Sequence, residues 1–344
     1  MFQNCKLANF CQTPYQSALA VITTIIIGLV TLKPVYIFKS FDRPPTLRPV
    51  SDTLAKTSSP ITTGLTIKNF LDFDVSKNNF YVEGLAWFIF DPTKISLEEI
   101  SQFSFSKGEL IEGEFFTSSI DKKTVIDLPN KTKFVYFDMR LKFSTNLDYK
   151  MFPLNSHKFY ITLVNKHIPI EKGFFVSQPT YFVVDENIYT PGWRNIGQEV
   201  KTGILEIKFT NDTKIEPLKF PRAIFSIDFM MDSMRYALFL FLPLLALFFV
   251  SLFALAIDPK KELDIIVPQT AGSLIGILTY RFVIEAVSPK VPYFTLVDHT
   301  FNLFLLLACI TFVLSILKLS ERARSISVLL LHVALITGWT FLIA

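Results

Sequence analysis

Few residues in this sequence have both the type and the spacing that enzyme chemistry requires. The sequence contains no HExxH, no GxSxG, no glycine-rich phosphate loop and no CxxC. His157, His167, His299 and His332 are far apart, and no two of them have the spacing of metal ligands. His157 and His167 are candidates for pH-responsive groups, with ordinary surface histidines as the alternative. The residue types therefore predict no enzyme, no metal site and no cofactor.

The charged residues are distributed unevenly along the chain. Of the 34 basic and 30 acidic residues, 49 lie within residues 36–235 and 13 within residues 236–344. Charged residues make up 19% of the chain, below the ~25% that is usual in soluble domains. This distribution excludes a single soluble globule and predicts a polar domain followed by a membrane domain. The net charge of +4 is too small and too dispersed to predict a nucleic-acid partner.

Residues 61–234 are predicted to form an antiparallel β-sandwich. Apolar and polar residues alternate in FDMRLKF (137–143) and in GILEIKF (203–209), so that each strand has one apolar face. Turn signals separate the strands, and no amphipathic helical stretch lies between them, which favours a sandwich over a βαβ fold. Residues 35–60 are rich in Pro, Ser and Thr and are predicted to be a linker.

Four apolar segments follow within residues 235–344, each close to the ~20 residues that cross a bilayer. They cover residues 236–257, 263–287, 301–317 and 325–344. Basic residues concentrate in the first and third loops between these segments, so the positive-inside rule makes those two loops cytoplasmic. We therefore expect a multi-pass protein of the bacterial cell (inner) membrane, with its β domain on the periplasmic or extracellular side. The predicted fold class is an antiparallel β-sandwich followed by a four-helix transmembrane bundle.

Residues 1–34 contain a further apolar run at 18–32, which has the length of a signal-peptide core or a short membrane anchor. Lys33 and Pro34 follow this run without a small-x-small cleavage site, which favours an uncleaved anchor. Both alternatives export the chain from residue 40 onwards.

Two later segments carry the most specific signal. Residues 288–301 read SPKVPYFTLVDHTF, and residues 151–165 read MFPLNSHKFYITLVN. Together they resemble the pentameric ligand-gated ion channels (Cys-loop receptors), in which a proline–lysine loop joins the second and third spans and an FPxD turn lies at the foot of the β-sandwich. Thr145 and Phe159 stand where the family's disulfide pair would be, as in its prokaryotic members. The resemblance covers roughly residues 60–344.

The resemblance implies a homopentameric ion channel in membrane lipid that opens when a small-molecule ligand or protons act on the β domain. A ring of Asp264 carboxylates, described below, makes inorganic cations the expected permeant ions. It also implies that the FPLN turn and the 288–295 loop couple the two domains. The implied coupling residues are Asp74, Asp148, Phe152, Pro153, Asn155, Asp232, Pro289, Lys290 and Tyr293.

Two of the family's charged residues at this junction are replaced here. Asn155 stands in place of an acid and Met231 in place of an arginine. We therefore expect Lys290 to pair with Asp74, Asp148 or Asp232, with Asp232 preferred. A solvated Lys290, or one that contacts lipid head groups, is the alternative.

The resemblance further implies that residues 263–287 line the pore. At 100° per residue, one face of this helix is centred on Ile275. The predicted pore-lining residues are Asp264, Pro268, Gly272, Ile275, Thr279 and Phe282. Five Asp264 carboxylates would form a ring that attracts cations, and a helix N-cap is the alternative role for this residue. Ile275 and Phe282 would form apolar constrictions.

The polar residues of the same helix point away from this face. They are Gln269, Thr270, Ser273, Tyr280 and Arg281. Three alternatives remain open: the register of the helix is shifted, its polar face packs against Asp298, His299 and Asn302 of the third span, or the resting pore is closed and dry.

Aromatic residues in the β domain are candidates for ligand binding. Phe174, Phe175, Tyr181 and Trp193 could line a pocket, and core packing is the alternative for each. The hairpin at 210–219 has no aromatic residue, so a cation–π box for a quaternary amine is poorly supported.

Two other classes of protein are weighed against the channel. A non-conducting, membrane-anchored binding or sensor protein with the same fold is favoured by the apolar pore face. An exported enzyme on a membrane stalk is disfavoured because no nucleophile–base pair or metal cluster is present in the sequence.

Overall fold

The structure is a computed structural model in which the chain divides into two compact units. The helical unit comprises Met1–Lys39, Tyr149–Asn155 and Met231–Ala344, and the sheet unit comprises Ser40–Asp148 and Ser156–Met230. The residues that the structure describes are 3–74, 79–112, 125–144, 147–188, 190, 192–208, 216–231, 233–257, 262–317 and 319–343.

Along the described part of the chain, one long helix precedes the strands and four long helices follow them. The helices are α1 Gln3–Tyr36, α2 Asp52–Thr57, α3 Leu97–Ser101, α4 Ser233–Phe253, α5 Leu263–Val287, α6 Leu296–Ile316 and α7 Glu321–Ile343. The strands are β1 Ser59–Asp74, β2 Asn79–Phe90, β3 Phe103–Ser106, β4 Gly108–Glu112, β5 Val125–Asp127, β6 Lys133–Ser144, β7 Ser156–Asn165, β8 Gly173–Val176, β9 Phe182–Val184, β10 Trp193–Ile207 and β11 Leu218–Met231.

Two sheets are formed by these strands. The larger has the order β4–β6–β2–β1–β8, with β5 on β6 and β9 on β1, and the smaller has the order β10–β11–β7–β3. β1, β2 and β6 pair in antiparallel fashion, as do β7 and β11. β1 pairs in parallel with β8 and β9, however, so the prediction of a purely antiparallel arrangement is wrong there. An alternating sequence determines the face of a strand but not the direction of its partner.

The inner faces of the two sheets meet through phenylalanine rings. Phe80 of β2 lies 4.4 Å from Phe159 of β7, and Phe159 lies 5.0 Å from Phe229 of β11. The predicted apolar face of β6 is buried, while Asp138 and Arg140 on its other face are exposed. Since each fully buried phenylalanine contributes roughly 1.5–3 kcal/mol, the buried phenylalanines of the sheet unit provide much of the driving force for this core.

The described part of the chain contains five helices long and apolar enough to cross a membrane, and the protein is therefore membrane-embedded. The first of them, α1, precedes the sheets and packs against α4 and α7. The predicted fold class, an antiparallel sandwich followed by a four-helix bundle, is wrong for this reason.

A buried face explains why α1 belongs to the helical unit. Thr23, Ile27, Thr31 and Val35 recur every four residues and are buried, as expected for one side of a helix. Trp339 of α7 donates a hydrogen bond from Nε1 to Thr31 Oγ1 at 3.1 Å. The apolar run at 18–32 suggested only a signal peptide or an anchor, because its threonines read as interruptions rather than as an interface.

The predicted linker at 35–60 contains the end of α1, the helix α2, the start of β1 and a segment that lies against the smaller sheet. Residues 40–48, hereafter the covering segment, contact β7, β10 and β11. Arg48 forms an isolated bridge with Ile204 of β10. A Cβ atom at the adjacent Gly203 would overlap the carbonyl oxygen of Arg48, so glycine permits this close approach.

Candidate functional site

The central feature of the helical unit is the contact between a β-turn and the start of α6. The turn Tyr149–Asn155, hereafter the coupling turn, joins β6 to β7 along the chain. Leu296 N donates a hydrogen bond to Lys150 O at 2.7 Å, and Val297 N donates one to Phe152 O at 3.2 Å. Tyr149 N donates to the hydroxyl of Tyr293 at 3.0 Å.

Two physical effects hold the coupling turn against the start of α6. The first N–H groups of a helix have no carbonyl partner within the helix, and the coupling turn supplies two carbonyls to α6. Tyr149, Phe152 and Leu154 are buried, so burial of apolar surface holds the turn in place. The predicted coupling residues Phe152, Pro153, Asn155 and Tyr293 thus lie in or beside a single contact region.

Asp298 connects the start of α6 to α5. Its Oδ2 accepts hydrogen bonds from Thr295 N at 2.8 Å and Thr295 Oγ1 at 2.7 Å, and the bond from Thr295 N is part of the capping box of α6. Its Oδ1 accepts a hydrogen bond from Arg281 Nη1 of α5 at 2.5 Å. Arg281 also donates from Nε to Glu285 Oε1 at 3.0 Å, the pair that i, i+4 spacing predicts.

Sequence reasoning did not include Asp298 or Arg281 among the coupling residues. The available signal was the T-x-x-D pattern that begins at Thr295, which is typical of a capping box. The carboxylate of Asp298 has a second oxygen that can accept a hydrogen bond from a cation, and Arg281 is an ionisable residue within an apolar span.

The face of α5 that was predicted to line a pore is exposed on this chain. Ile275 and Phe282 are 62% and 74% exposed. Asp264, Pro268, Gly272 and Thr279 are exposed as well, and a Cβ atom at Gly272 would meet open space. These six positions form one continuous stripe along the helix.

The polar face of α5 packs inward, which favours the second of the three alternatives. Gln269 donates to Val250 O at 3.0 Å and Tyr280 to Phe239 O at 2.7 Å, both on α4, while Arg281 contacts Asp298 on α6. His299 and Asn302 are exposed and do not take part in these bonds. The predicted partner on the third span is therefore reduced to Asp298, α4 accepts the bonds of Gln269 and Tyr280, and Thr270 and Ser273 bond carbonyls of α5 itself.

Asp264 lies in the first turn of α5, but it is not the cap of that helix. Glu262 occupies the N-cap position, and Asp264 is exposed two residues later. An acid there still benefits from the helix dipole. α5 also has the lowest mean hydropathy of the five candidate spans, which suits a helix that faces water on one side.

The remaining coupling residues are placed as follows. Lys290 is exposed and Pro289 is buried, and a cavity of about 450 Å³ lies between this loop, Arg281 and Asp298. Asp232 and the side chain of Asp74 lie outside the described residues, and Asp148 belongs to the sheet unit. The pairing of Lys290 with one of these acids stays a prediction.

The four aromatic candidates for ligand binding contact different neighbours. Phe175 is fully buried beside Phe88, Tyr181 packs against Trp87 at 5.2 Å, and Trp193 lies 5.4 Å from His157. Phe174 is half-buried on β8. These contacts favour core packing for Phe175.

The sheet unit holds one buried pair of ionisable groups that sequence reasoning missed. Asp42 Oδ2 lies 3.0 Å from His157 Nδ1, and both side chains are buried. Burial raises the pKa of Asp42, but the hydrogen bond and charge of His157, with hydrogen bonds from Asp148 N and Ser40, bring this pKa below its ordinary value. His157 was considered as a pH-responsive group, whereas Asp42 lay in the supposed linker.

No family model matches the chain, and no curated protein matches it at a significant level. Within the part of the chain that the structure describes, no group of three or more His, Cys, Asp or Glu residues could hold a metal ion.

Proposed function

We propose that this chain is the subunit of a homopentameric, cation-selective channel that a small-molecule ligand or protons open by acting on the sheet unit. The observation that carries the proposal is the bonding of the coupling turn to the start of α6, next to the Asp298–Arg281 contact with α5. The chain itself connects β6 and β7 to the coupling turn. Hydrogen bonds then connect this turn to α6, and α6 to α5, the proposed pore helix.

The first step of the mechanism uses chain connectivity. The coupling turn lies within the one chain connection between β6 and β7, so a displacement of these strands pulls on Lys150 and Phe152, whose carbonyls hold the first turn of α6. Ordering or release of this turn therefore changes the position of the α6 N-terminus.

The second step moves α5. Asp298 is fixed to the first turn of α6 by its bonds to Thr295, and it holds the guanidinium of Arg281 at the same time. Phe282 follows Arg281 directly and is exposed. A shift of α6 is thereby converted into rotation or tilt of α5, which moves Ile275 and Phe282 at the proposed apolar constrictions.

Assembly and orientation follow from the exposed faces and the charges. The α5 stripe would face the five-fold axis, and the apolar exposed faces of α4, α6 and α7 would face lipid or neighbouring subunits. The positive-inside rule supports a cytoplasmic side for the loops that carry Lys260, Lys261, Lys318, Arg322 and Arg324, and the sheet unit would then lie on the periplasmic or extracellular side.

A non-conducting sensor of the same structure is the second candidate. The exposed Ile275 and Phe282 favour it, because a face with two large apolar residues also suits contact with lipid or another helix.

Cysteine accessibility in proteoliposomes separates a water-lined α5 from a lipid-facing one. In a chain with Cys5, Cys11 and Cys309 changed to Ser, Gly272→Cys and Thr279→Cys should react with a charged thiosulfonate reagent added from both sides. Leu306→Cys and Leu330→Cys, exposed on α6 and α7, are the lipid-facing controls and should stay unreactive. Equal lack of reaction at all four positions, or a native mass other than that of a pentamer, would contradict the proposal.

A further inference from the structure

A second cavity lies in the sheet unit, on the outer face of the smaller sheet. Its volume is about 360 Å³, within the range of small-molecule sites. The covering segment forms one wall, and Lys158, Tyr160 and Thr162 of β7 form another with Arg222 of β11. These four side chains share the face of the sheet that is turned away from the phenylalanine core.

Arg222 is the unusual residue of this cavity. It is only 7% exposed. Its Nη1 donates to Thr46 O at 2.6 Å, but its Nε has no acceptor, and no acid pairs with it among the described residues. Burial without a counter-charge lowers the pKa of Arg222. A buried guanidinium normally has an anionic partner, since an unpaired buried charge is strongly destabilising.

The other charged groups of the cavity do not supply this partner. Asp42 is the only acid among the lining residues, and its oxygens accept hydrogen bonds from Ser40 Oγ, Asp148 N and Lys158 N, besides the contact with His157. The Lys158 ammonium contacts Glu199 at 3.0 Å and Asp228 at 3.4 Å.

The entrance of the cavity adds positive charge. Arg43 and Lys107 line it and are exposed, and within the described ranges neither forms an ion pair. Together with Arg222 they leave three cations without a counter-charge around one small cavity. The hydroxyls of Tyr160 and Thr162 are further donors on its wall.

We propose that this cavity binds a small oxyanion, a carboxylate or a phosphate, which accepts hydrogen bonds from Arg222 and is attracted by Arg43 and Lys107. A guanidinium presents a planar set of donors that matches the oxygens of either group. Water would satisfy Nε but would leave the charge uncompensated. The site is independent of ion conduction, so it stands or fails separately from the proposed channel.

The test is calorimetric titration of the purified full chain in lipid nanodiscs, with inorganic phosphate and succinate as separate probes. Sodium chloride at equal ionic strength is the control for screening. We expect one of the two probes to bind at one site per chain, and the probe that binds assigns the class of oxyanion. Absence of binding by both would overturn the proposal.

Two variants locate the site. Arg222→Gln should weaken binding by about tenfold or more, while Arg194→Gln, at an exposed arginine of β10, should leave it unchanged. Because Arg222 is buried and its variant could fail to fold, the surface double variant Arg43→Ala with Lys107→Ala provides an independent test and should weaken binding by roughly threefold to tenfold. Wild-type affinity in the double variant, or in a folded Arg222→Gln chain, would overturn the proposal.

Discussion

Arg281 on α5 and Asp298 on α6 are joined by a 2.5 Å hydrogen bond between Nη1 and Oδ1. The same guanidinium lies 5.5 Å from the ring centroid of Phe301, and the same carboxylate caps α6 through Thr295. Asp298 therefore caps the start of α6, and its bond to Arg281 attaches α5 to α6. Among the described contacts, this pair is the direct charged link between the helix that receives the coupling turn and the helix with the exposed stripe.

We predict that Arg281→Gln and Asp298→Asn each shift the gating midpoint, and that the double variant shifts it no further than the stronger single variant. A charge-assisted hydrogen bond of this kind contributes about 1.5–3 kcal/mol, enough to change a two-state equilibrium about tenfold or more. The measurement is a double-mutant cycle on the midpoint of activation. Glu285→Gln is the control, because Glu285 bonds the same guanidinium from an exposed position. Additive effects of Arg281→Gln and Asp298→Asn would contradict a coupling role.

Asp264→Asn should lower the permeability of cations relative to anions. In a pentamer the substitution removes five carboxylates from one narrow end of the pore, where fixed negative charge concentrates cations. The reversal potential in a salt gradient measures this ratio. Glu321→Gln removes an exposed acid from the first turn of α7 and should leave the reversal potential unchanged. Unchanged selectivity in Asp264→Asn would leave Asp264 with a helix-dipole role only.

Thr31→Val should destabilise the helical unit by removing the acceptor of the Trp339 indole. Interhelical hydrogen bonds within membranes contribute ~0.6 kcal/mol on average and at most ~1.7 kcal/mol, so a decrease of that size is expected in the free energy of unfolding in mixed micelles. Thr24→Val is the matched control, because Thr24 is exposed on the same helix and bonds only Ala20 O. If both variants unfold alike, the hydrogen bond from Trp339 to Thr31 contributes nothing to stability.

Asp42→Asn should destabilise the sheet unit at neutral pH and much less in acid. The pKa of Asp42 is lowered in the folded state, so its contribution is fully present above the ordinary carboxyl pKa of about 3.9 and is lost as the pH falls through the folded-state value. The loss at pH 7 should be about 1–3 kcal/mol, since several buried donors lose a charged acceptor.

Tryptophan fluorescence during denaturant unfolding at pH 3 to 7 measures the difference in unfolding free energy between Asp42→Asn and the wild-type chain. Asp138→Asn, at an exposed acid of β6, should have a small effect, and a pH-independent loss in Asp42→Asn would contradict the ionised state of Asp42.

Much of the sheet unit could be predicted from local patterns. The period-two alternation in β6 predicted its buried face, because one side of a strand must pack on the core. The parallel pairing of β1 with β8 could not be predicted, since the alternating pattern carries no information about the partner strand. The covering segment read as a linker because Pro, Ser and Thr predominate there, whereas its place depends on distant bonds from Asp42 to His157 and from Arg222 to Thr46.

The candidate site was predictable in part for a similar reason. Helical periodicity on α5 predicted a stripe centred on Ile275, and this stripe is exposed. The Arg281–Asp298 bond joins two helices whose relative position the sequence does not state. Arg222 is one of several polar residues in β11, and only the surrounding structure shows that it is buried without a counter-charge.

Single-channel recording from the purified chain in planar lipid bilayers tests the central claim most directly, with Ile275→Ser as the informative variant. Because a dry apolar ring holds a pore shut, a hydroxyl at this exposed position should hydrate the constriction and raise the spontaneous open probability without any ligand. Leu330→Ser, at an exposed position of α7, is the matched control and should leave the open probability unchanged. The proposed channel predicts unitary, cation-selective currents that are more frequent in Ile275→Ser than in wild type. Absence of unitary currents from a folded, pentameric Ile275→Ser preparation would contradict it.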